Sequence, residues 1–196
     1  PPVLFAKGDL LLMRRECVSL VGSRELGARG RAFARQVGRL AAEEGLTLVS
    51  GGAAGADSEA QEACLAAGGS VIVFTPGQLA ELPARRNVLF LSEGGWTLPF
   101  SATRALSRNR LIHAMGEKTL VAQTGFGSGG TWSGTLDNLR HGWSTVFVHD
   151  DGSMGAAALI ARGAEPVAAL TSLRTLEPAQ ARFCEAVRHP MHTEDL

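Results

Sequence analysis

The sequence contains no tyrosine, only two lysines and only three cysteines among its 196 residues. Cys17, Cys64 and Cys184 lie far apart, are odd in number and form no CxxC pair, which argues against both a disulfide framework and a zinc site. No run approaches the roughly 20 apolar residues that a membrane-spanning helix needs. The chain also begins without a basic-then-apolar signal peptide. We therefore expect a cytoplasmic protein that binds no metal and no membrane.

Acidic and basic residues balance at 19 each, but they are unevenly distributed. Residues 1–40 carry eight bases against three acids, and residues 85–118 carry six bases against two acids. Residues 41–84 carry six acids and no base. A neutral chain with two basic blocks can still present a basic face. All the bases except Lys7 and Lys118 are arginine, whose planar fork suits phosphate better than an ammonium does.

Short apolar runs alternate with helical patterns along the chain. The runs place Val, Leu, Ile and Phe at successive positions, which is typical of strands buried on both faces. The predicted strands cover residues 17–22, 46–52, 70–77, 88–93, 119–124, 144–150 and 165–170. The predicted helices cover residues 28–45, 56–68, 104–115, 131–142 and 154–163. This alternation predicts a doubly wound α/β fold, with a mostly parallel sheet and helices on both faces.

We expect one domain over residues 1–170 and a C-terminal helical extension over residues 171–196. Pro178 suits the first turn of a short helix at residues 179–188 within this extension.

The first glycine-rich loop contains Gly22, Ser23 and Arg24, at the end of the first predicted strand. The helix after it offers free N–H groups and the positive end of its dipole, both of which attract phosphate. The spacing is not GxGxxG, so a dinucleotide fingerprint is not supported.

A second glycine-rich loop spans residues 50–57 and leaves its backbone open to a bulky anion. Its candidate ligand-binding residues are Ser50, Gly51, Gly52, Gly55 and Asp57. Asp57 fits three roles, as a helix cap, as an acceptor for a sugar hydroxyl or as a group that orders the loop.

A third glycine-rich loop, at residues 125–131, again offers N–H groups and hydroxyls at a helix N-terminus. Its candidates are Gly127, Ser128, Gly129 and Thr131. Ligands of parallel sheets bind beyond the carboxyl ends of the strands, and all three loops leave from that edge. Together they predict a phosphate-binding groove.

Arg108, Asn109 and Arg110 stand at the head of a helix that then becomes apolar. Adjacent arginines cannot share one helix face, so at least one of them points away from the other. Arg108, Asn109 and Arg110 are further candidates for binding phosphate.

These segments together resemble the DNA-processing protein A family (DprA, also called Smf), within the wider set of Rossmann-like domains that includes the LOG proteins. The resemblance covers about residues 1–168, and its most specific parts are PPVLFAKG at residues 1–8 and RNRLI at residues 108–112. It implies an extended Rossmann fold that binds single-stranded DNA, forms homodimers and hands the DNA to the RecA recombinase, without catalysis or a cofactor. It places around the DNA groove Arg24, the 50–55 loop, Arg108, Asn109, Arg110 and Ser128. On this resemblance we expect Arg24, Arg108 and Arg110 to bind the DNA backbone and not to read its bases.

Two positions depart from the family pattern. Ala54 stands where members usually carry a basic or bulky residue, and Gln61 stands where they carry histidine. A missing positive charge in the groove weakens phosphate binding.

Two other functions stay open. One is a domain that binds or senses a small nucleotide at the same edge of the sheet. The other is a LOG-type nucleoside monophosphate phosphoribohydrolase, whose PGGxGTxxE motif supplies a catalytic glutamate. Asn138 falls at that glutamate if Gly134 and Thr135 match the motif's GT, and an amide cannot replace the carboxylate. For DNA, Trp96, Phe126 and Trp132 are the aromatic residues to test for base stacking.

Overall fold

A computed structural model describes residues 3–178. Its strands are β1 (Phe5–Gly8), β2 (Cys17–Val21), β3 (Thr47–Ser50), β4 (Ser70–Phe74), β5 (Val88–Ser92), β6 (Lys118–Val121), β7 (Thr145–His149) and β8 (Glu165–Val167). Its helices are α1 (Ala28–Glu43), α2 (Ala56–Ala66), α3 (Ala102–Ser107), α4 (Asn109–Met115), α5 (Gly130–His141) and α6 (Met154–Ile160), with a 3₁₀ helix at Leu10–Arg14. The predicted doubly wound α/β class is confirmed.

The eight strands form one sheet in the order β1-β5-β4-β3-β2-β6-β7-β8. Only β1 runs antiparallel to its neighbour, β5. The strand order reverses between β2 and β6, because the chain winds from β2 to β5 on one side and from β6 to β8 on the other. In such sheets a ligand binds beyond the carboxyl ends of the two strands at the reversal. The loops after β2 and β6 therefore flank the expected site.

Helices cover both faces of the sheet. On one face α1 and α2 contribute Phe33, Val37 and Ala60 to a buried cluster. On the other face α4, α5 and α6 contribute Ile112, Trp132 and Leu159 to a second cluster. All five residues of β2 are buried, which explains why its apolar residues follow one another without alternation. Within residues 3–178, no helix is long and apolar enough to cross a membrane.

Two features differ from the sequence expectations. β1 was not predicted, because it has four residues and exposed ends at the edge of the sheet. The helix expected over residues 104–115 is two helices, α3 and α4, which meet at Arg108. This junction turns the Arg108 side chain into the protein, where it is 7% exposed.

The chain after β8 packs back onto the sheet domain. Leu170 and Leu173 are buried in the same cluster as α1. Lys118 Nζ donates to the carbonyl oxygens of Leu173 and Arg174 at 2.8 and 2.9 Å. The Glu44 carboxylate accepts the N–H groups of the same two residues at 2.9 and 2.8 Å. Contacts of the sheet domain thus continue past residue 170, whereas the helix expected at residues 179–188 lies outside the described residues.

Candidate nucleic-acid interface

A groove with a volume of about 600 Å³ lies at the reversal between β2 and β6. The β2–α1 loop, the start of α2, the α3–α4 junction and the loop before α5 form its walls. Nine of the fifteen candidate residues line it: Gly22, Ser23, Arg24, Asp57, Arg108, Asn109, Ser128, Gly129 and Thr131. Six candidates lie outside this lining: Ser50, Gly51, Gly52, Gly55, Arg110 and Gly127.

The β2–α1 loop is held in place by its backbone. The Ser23 N–H donates to the Gln123 carbonyl at 2.9 Å, and the Ser23 carbonyl accepts the Ala56 N–H at 3.1 Å. Gly22 allows this close approach, since a β-carbon there would lie 2.4 Å from Cβ of Ala56. Arg24 is exposed and forms no hydrogen bond or ion pair with any other described residue. Its guanidinium can therefore turn to a ligand.

Asp57 orders the second glycine loop, which is one of the three roles left open by the sequence. Its Oδ2 accepts the N–H groups of Gly51 and Ala53, both at 3.1 Å. Burial raises the pKa of Asp57 to about 6, although Arg108, the two N–H groups and Arg24 all act to lower it. These backbone donors are therefore bound by the protein's own carboxylate. Ser50 is likewise used internally, because its Oγ accepts from Nε2 of Gln61.

Arg108 is buried, and Nε of its guanidinium donates no hydrogen bond to the other described residues. The guanidinium lies against the backbone of Gly51. Burial lowers the pKa of Arg108, and the negative charge of Asp57 opposes that effect. Burying an unpaired polar or charged group is costly. A group kept in this state inside a groove is suited to receive an anion.

Asn109 and Arg110 take different positions. Asn109 lines the groove, and its Nδ2 donates to the carbonyl of Gly130 at 3.2 Å, which ties α4 to the start of α5. Arg110 points away from the groove and donates to Oε1 of Glu93 at 2.7 Å. The expectation that at least one of the two arginines points elsewhere is confirmed.

The N-terminus of α5 opens into the groove. Gly129 precedes the helix with a φ of 91°, and no side chain caps the first turn. Gly130, Thr131 and Ser128 line the groove at this point. The first N–H groups of a helix have no partner within the helix, so they are available, with the helix dipole, to an anion.

The charged groups of the lining balance. Arg24 and Arg108 are cationic, and Glu25 and Asp57 are their acidic counterparts. The groove is therefore not a basic channel. The donors that it offers to an anion are backbone N–H groups, the buried guanidinium of Arg108 and the exposed one of Arg24.

An apolar wall of the groove was missed by the sequence reasoning. Phe100, Ala105, Leu106 and Ile112 line it, and Phe100 and Leu106 are 62% and 57% exposed. Phe100, Ala105 and Leu106 lie in or beside α3, where no run or motif distinguishes them. Ile112 lies in α4 and belongs to the RNRLI segment. A contiguous apolar surface beside phosphate-binding donors suits the rest of a nucleotide.

His113 lies at the inner end of the groove and was also missed. Its Nδ1 is 3.2 Å from Nδ2 of Asn138, whose Oδ1 accepts the N–H of Ser144 at 3.0 Å. This amide orientation makes Nδ1 the acceptor and leaves the imidazole proton on Nε2. Burial lowers the pKa of His113 to about 4, so the ring is neutral at physiological pH.

The three aromatic residues singled out for stacking are placed differently. Phe126 is 56% exposed in the loop before α5 and packs edge to face on the buried Trp132, with ring centroids 5.5 Å apart. Trp96 lies 5.8 Å from Nζ of Lys7, outside the groove lining. Phe126 is also outside the lining, but it lies between Gly125 and Ser128, which line the groove, so it is the exposed ring of the three beside the groove.

Sequence comparison identifies a family and similar proteins for this chain. Residues 1–176 match the family model of DNA recombination-mediator protein A. DNA processing protein DprA of Bacillus subtilis is 30% identical over 135 residues, which cover 63% of this chain and 45% of that protein. A putative DprA of Mycobacterium tuberculosis is 31% identical over 184 residues, which cover 85% of this chain and 47% of that protein. The chain thus spans about half the length of the curated relatives it matches.

Solved structures agree with this relationship. DNA processing protein A from Helicobacter pylori, described for its mode of binding single-stranded DNA, matches with a TM-score of 0.75 and 25% identity. The match covers 85% of this chain and 82% of that chain. DprA from Streptococcus pneumoniae matches with a TM-score of 0.76 and 30% identity, over 89% of this chain and 66% of that chain.

A more distant match indicates how widely the fold is shared. The molybdenum cofactor binding protein from Rippkaea orientalis has a TM-score of 0.63 at 17% identity, which shows a common fold alone. The family match over residues 1–176 and the similarity to two DprA structures settle the assignment. The chain belongs to the DNA recombination-mediator protein A family.

Proposed function

We propose that this chain binds single-stranded DNA by its phosphate backbone, in the groove at the reversal between β2 and β6. The observation that carries the proposal is Arg108, a buried guanidinium that lines the groove and whose Nε has no hydrogen-bond acceptor among the described residues. The uncapped N-terminus of α5 faces the same space. A phosphate satisfies both, and the similarity to a DprA known for its single-stranded DNA binding supports DNA as its source.

The donors of this groove favour backbone contacts over base reading. They are the backbone N–H groups of α5, the hydroxyls of Ser23, Ser128 and Thr131, and the guanidinium groups of Arg24 and Arg108. Contacts of these kinds to phosphate fix a strand in place without carrying sequence information. Phe100 and Phe126 add exposed rings at the groove and beside it, and stacking on them tolerates any base.

The role of the remaining candidates is indirect in this proposal. Gly51, Gly52 and Gly55 belong to the loop that Asp57 holds, and Gly51 supports Arg108. Arg110 is bound to Glu93 and contributes little to binding. We thus restrict the arginines of the binding site to Arg24 and Arg108.

The role of this binding in the cell is proposed from the family to which the chain belongs. We propose that the protein acts in the cytoplasm as a homodimer that passes single-stranded DNA to RecA in uptake or recombination. Light scattering tests the dimer, and a pull-down with RecA in the presence of single-stranded DNA tests the transfer. A monomer at high protein concentration would contradict the dimer.

A small nucleotide is the second candidate ligand. The groove volume of about 600 Å³ lies within the range of small-molecule sites. We propose no LOG-type hydrolysis, because Asn138 stands in the position of the catalytic glutamate. It is fully buried, and its amide is occupied by His113 and Ser144.

One binding experiment separates these functions. An oligothymidylate, a duplex and thymidine monophosphate are compared at two salt concentrations, with the wild type, Arg108→Met and Arg110→Ala. Met preserves much of the buried stem of Arg108 without its charge. We expect the oligothymidylate to bind best, Arg108→Met to weaken it at least tenfold and Arg110→Ala to leave it unchanged. Preference for the monophosphate would favour the second candidate, and equal losses in both variants would contradict the assignment of Arg108.

A further inference from the structure

Asp57 lines the groove but binds the protein's own backbone. Its carboxylate is 7% exposed, and its Oδ2 holds the N–H groups of Gly51 and Ala53. Successive N–H groups in a glycine loop are donors that an anion would otherwise approach. The carboxylate therefore acts as a built-in anion at the edge of the groove.

We propose that Asp57 is a positioning residue that also sets the charge of the groove. It holds the loop on which Arg108 rests, and its ionised carboxylate offsets the positive charge that Arg108 offers to a DNA phosphate. This inference rests on the proposed function, and it adds a control on how tightly the same groove binds.

Gly51 connects the two charged groups. Its N–H donates to Asp57, and its α-carbon lies against the guanidinium of Arg108. Arg108 and Asp57 form no direct ion pair within the described part of the chain, so the guanidinium stays free to bind a ligand. A phosphate that enters the groove is attracted by Arg108 and repelled by the ionised Asp57. Neutralising Asp57 therefore strengthens binding.

The groups that face Asp57 define its pH dependence. Arg108 at the α3–α4 junction and Arg24 in the β2–α1 loop act on its charge, and Glu25 of that loop and His113 of α4 share the groove lining with it. On its own helix, Glu59 is bound to Arg31 and Arg35 of α1. His113 is neutral above its lowered pKa of about 4.

The sign of the effect follows from the raised pKa of Asp57, about 6. A nearby phosphate disfavours the ionised carboxylate further, so DNA binds more tightly to the protonated form. Affinity then increases as the pH falls through this value. By the same linkage, DNA binding at a pH just above the pKa of Asp57 takes up protons from solution.

The test compares the wild type with Asp57→Asn, which keeps an oxygen for the two loop N–H groups but has no charge. Binding of a labelled oligothymidylate is measured at constant salt at about pH 7.5 and about pH 5.5. We expect the wild type to bind roughly fivefold more tightly at the lower pH. Asp57→Asn should bind at the higher pH about as tightly as the wild type does at the lower pH, with little further change.

A matched control is Glu25→Gln, which removes the exposed carboxylate of the groove. It should retain the pH dependence of the wild type. Calorimetry in buffers of different ionisation enthalpy should detect proton uptake when the wild type binds DNA. This measurement tests the role of Asp57 even if Asp57→Asn does not fold.

The outcomes separate the two proposals. Wild-type binding that is independent of pH and takes up no proton would overturn the role of Asp57 alone. A folded Asp57→Asn that binds more weakly, or that keeps the wild-type pH dependence, would overturn it as well. Absence of oligothymidylate binding by all the proteins at both pH values would overturn the proposed function and this inference with it.

Discussion

The guanidinium of Arg108 rests on the backbone of Gly51, so closely that a β-carbon at position 51 would lie 1.7 Å from Nη1 and 2.5 Å from Cζ. Gly51 does not adopt a positive φ, so its backbone conformation is open to any residue. Glycine is needed here because of the arginine. In the proposed site, the second glycine loop contributes to the groove by leaving room for Arg108.

Gly51→Ala should displace Arg108 from its buried position. We expect it to weaken oligothymidylate binding about as much as Arg108→Met does, because both changes remove the guanidinium from the groove. Fluorescence anisotropy measures the affinity, and circular dichroism reports the fold.

Gly77→Ala is the matched control for Gly51→Ala. Gly77 also has an ordinary φ, and the nearest atom to an added β-carbon, Oγ1 of Thr75, would be 3.7 Å away. It should bind DNA like the wild type. Wild-type affinity in Gly51→Ala would contradict the placement of Arg108.

Arg24→Ala should change the salt dependence of binding. Arg24 is exposed and has no ion pair within residues 3–178, so its loss removes one phosphate contact and leaves the packing intact. The slope of log affinity against log salt for a single strand should become shallower by about 0.7. The loss of affinity should be the same for oligothymidylate and mixed sequences. A loss confined to one base sequence would indicate base reading.

Phe126→Ala should weaken binding of every single-stranded sequence. The exposed ring is supported by Trp132, and loss of one stacked base costs about 1–3 kcal/mol. Phe126→Leu, which keeps an apolar side chain without the ring face, should recover little of that loss. Trp96→Ala, outside the groove, should bind normally. If Trp96→Ala is the weaker binder, the strand follows a different surface.

Glu59 makes the stability of the fold depend on pH. Glu59 accepts from Arg35 at 2.5 Å and also from Arg31, which joins α1 to α2. The hydrogen bond from Arg35 is the largest cause of its lowered pKa. A lowered pKa contributes stability that is fully present above the carboxylate's ordinary pKa and is lost as the pH falls through the folded value.

Glu59→Gln should therefore lower the thermal unfolding midpoint at neutral pH, and the difference from the wild type should shrink in acid. Thermal scans of both proteins from neutral pH to about pH 3 test this. A difference that is constant with pH would show that the charge of Glu59 does not act in this way.

The domain boundary is also testable. Leu173 is 1% exposed, and the backbone around it is held by Lys118 and Glu44. A chain that ends at residue 170 should be less stable by several kcal/mol, because it loses buried Leu173 and these hydrogen bonds. A chain that ends at residue 178 keeps Leu173 and these hydrogen bonds, so it should be more stable than the chain that ends at residue 170. Equal stability of the two shortened chains in urea would support the predicted boundary at residue 170.

The sheet and most of its helices could be predicted because their signal is local. A strand buried on both faces, such as β2, has a run of apolar residues, and the glycines at positions 45, 68 and 142 mark helix ends by their positive φ. β1 carried no such signal, because this edge strand of four residues is defined by its pairing with β5 and not by a run of apolar residues.

The groove could be predicted only in part, because its details depend on contacts between distant residues. The sequence places Arg108 and Arg110 in equivalent positions, and the junction at Arg108 sends one inward and leaves the other to Glu93. Asp57 could not be distinguished as a loop-ordering group until its two N–H donors were located. Phe100 and Leu106 enter the groove through the fold alone.

The central claim is that phosphate of single-stranded DNA binds between Arg108 and the N-terminus of α5. Nuclear magnetic resonance tests it most directly, through the Nε–Hε signal of Arg108 and the amide signals of Gly130 and Thr131 during titration with an oligothymidylate. We expect these three signals to shift together and to saturate with the measured affinity, while the Nε–Hε signal of Arg110 stays in place. Saturable binding that moves Arg110 and leaves Arg108, Gly130 and Thr131 unchanged would contradict the account.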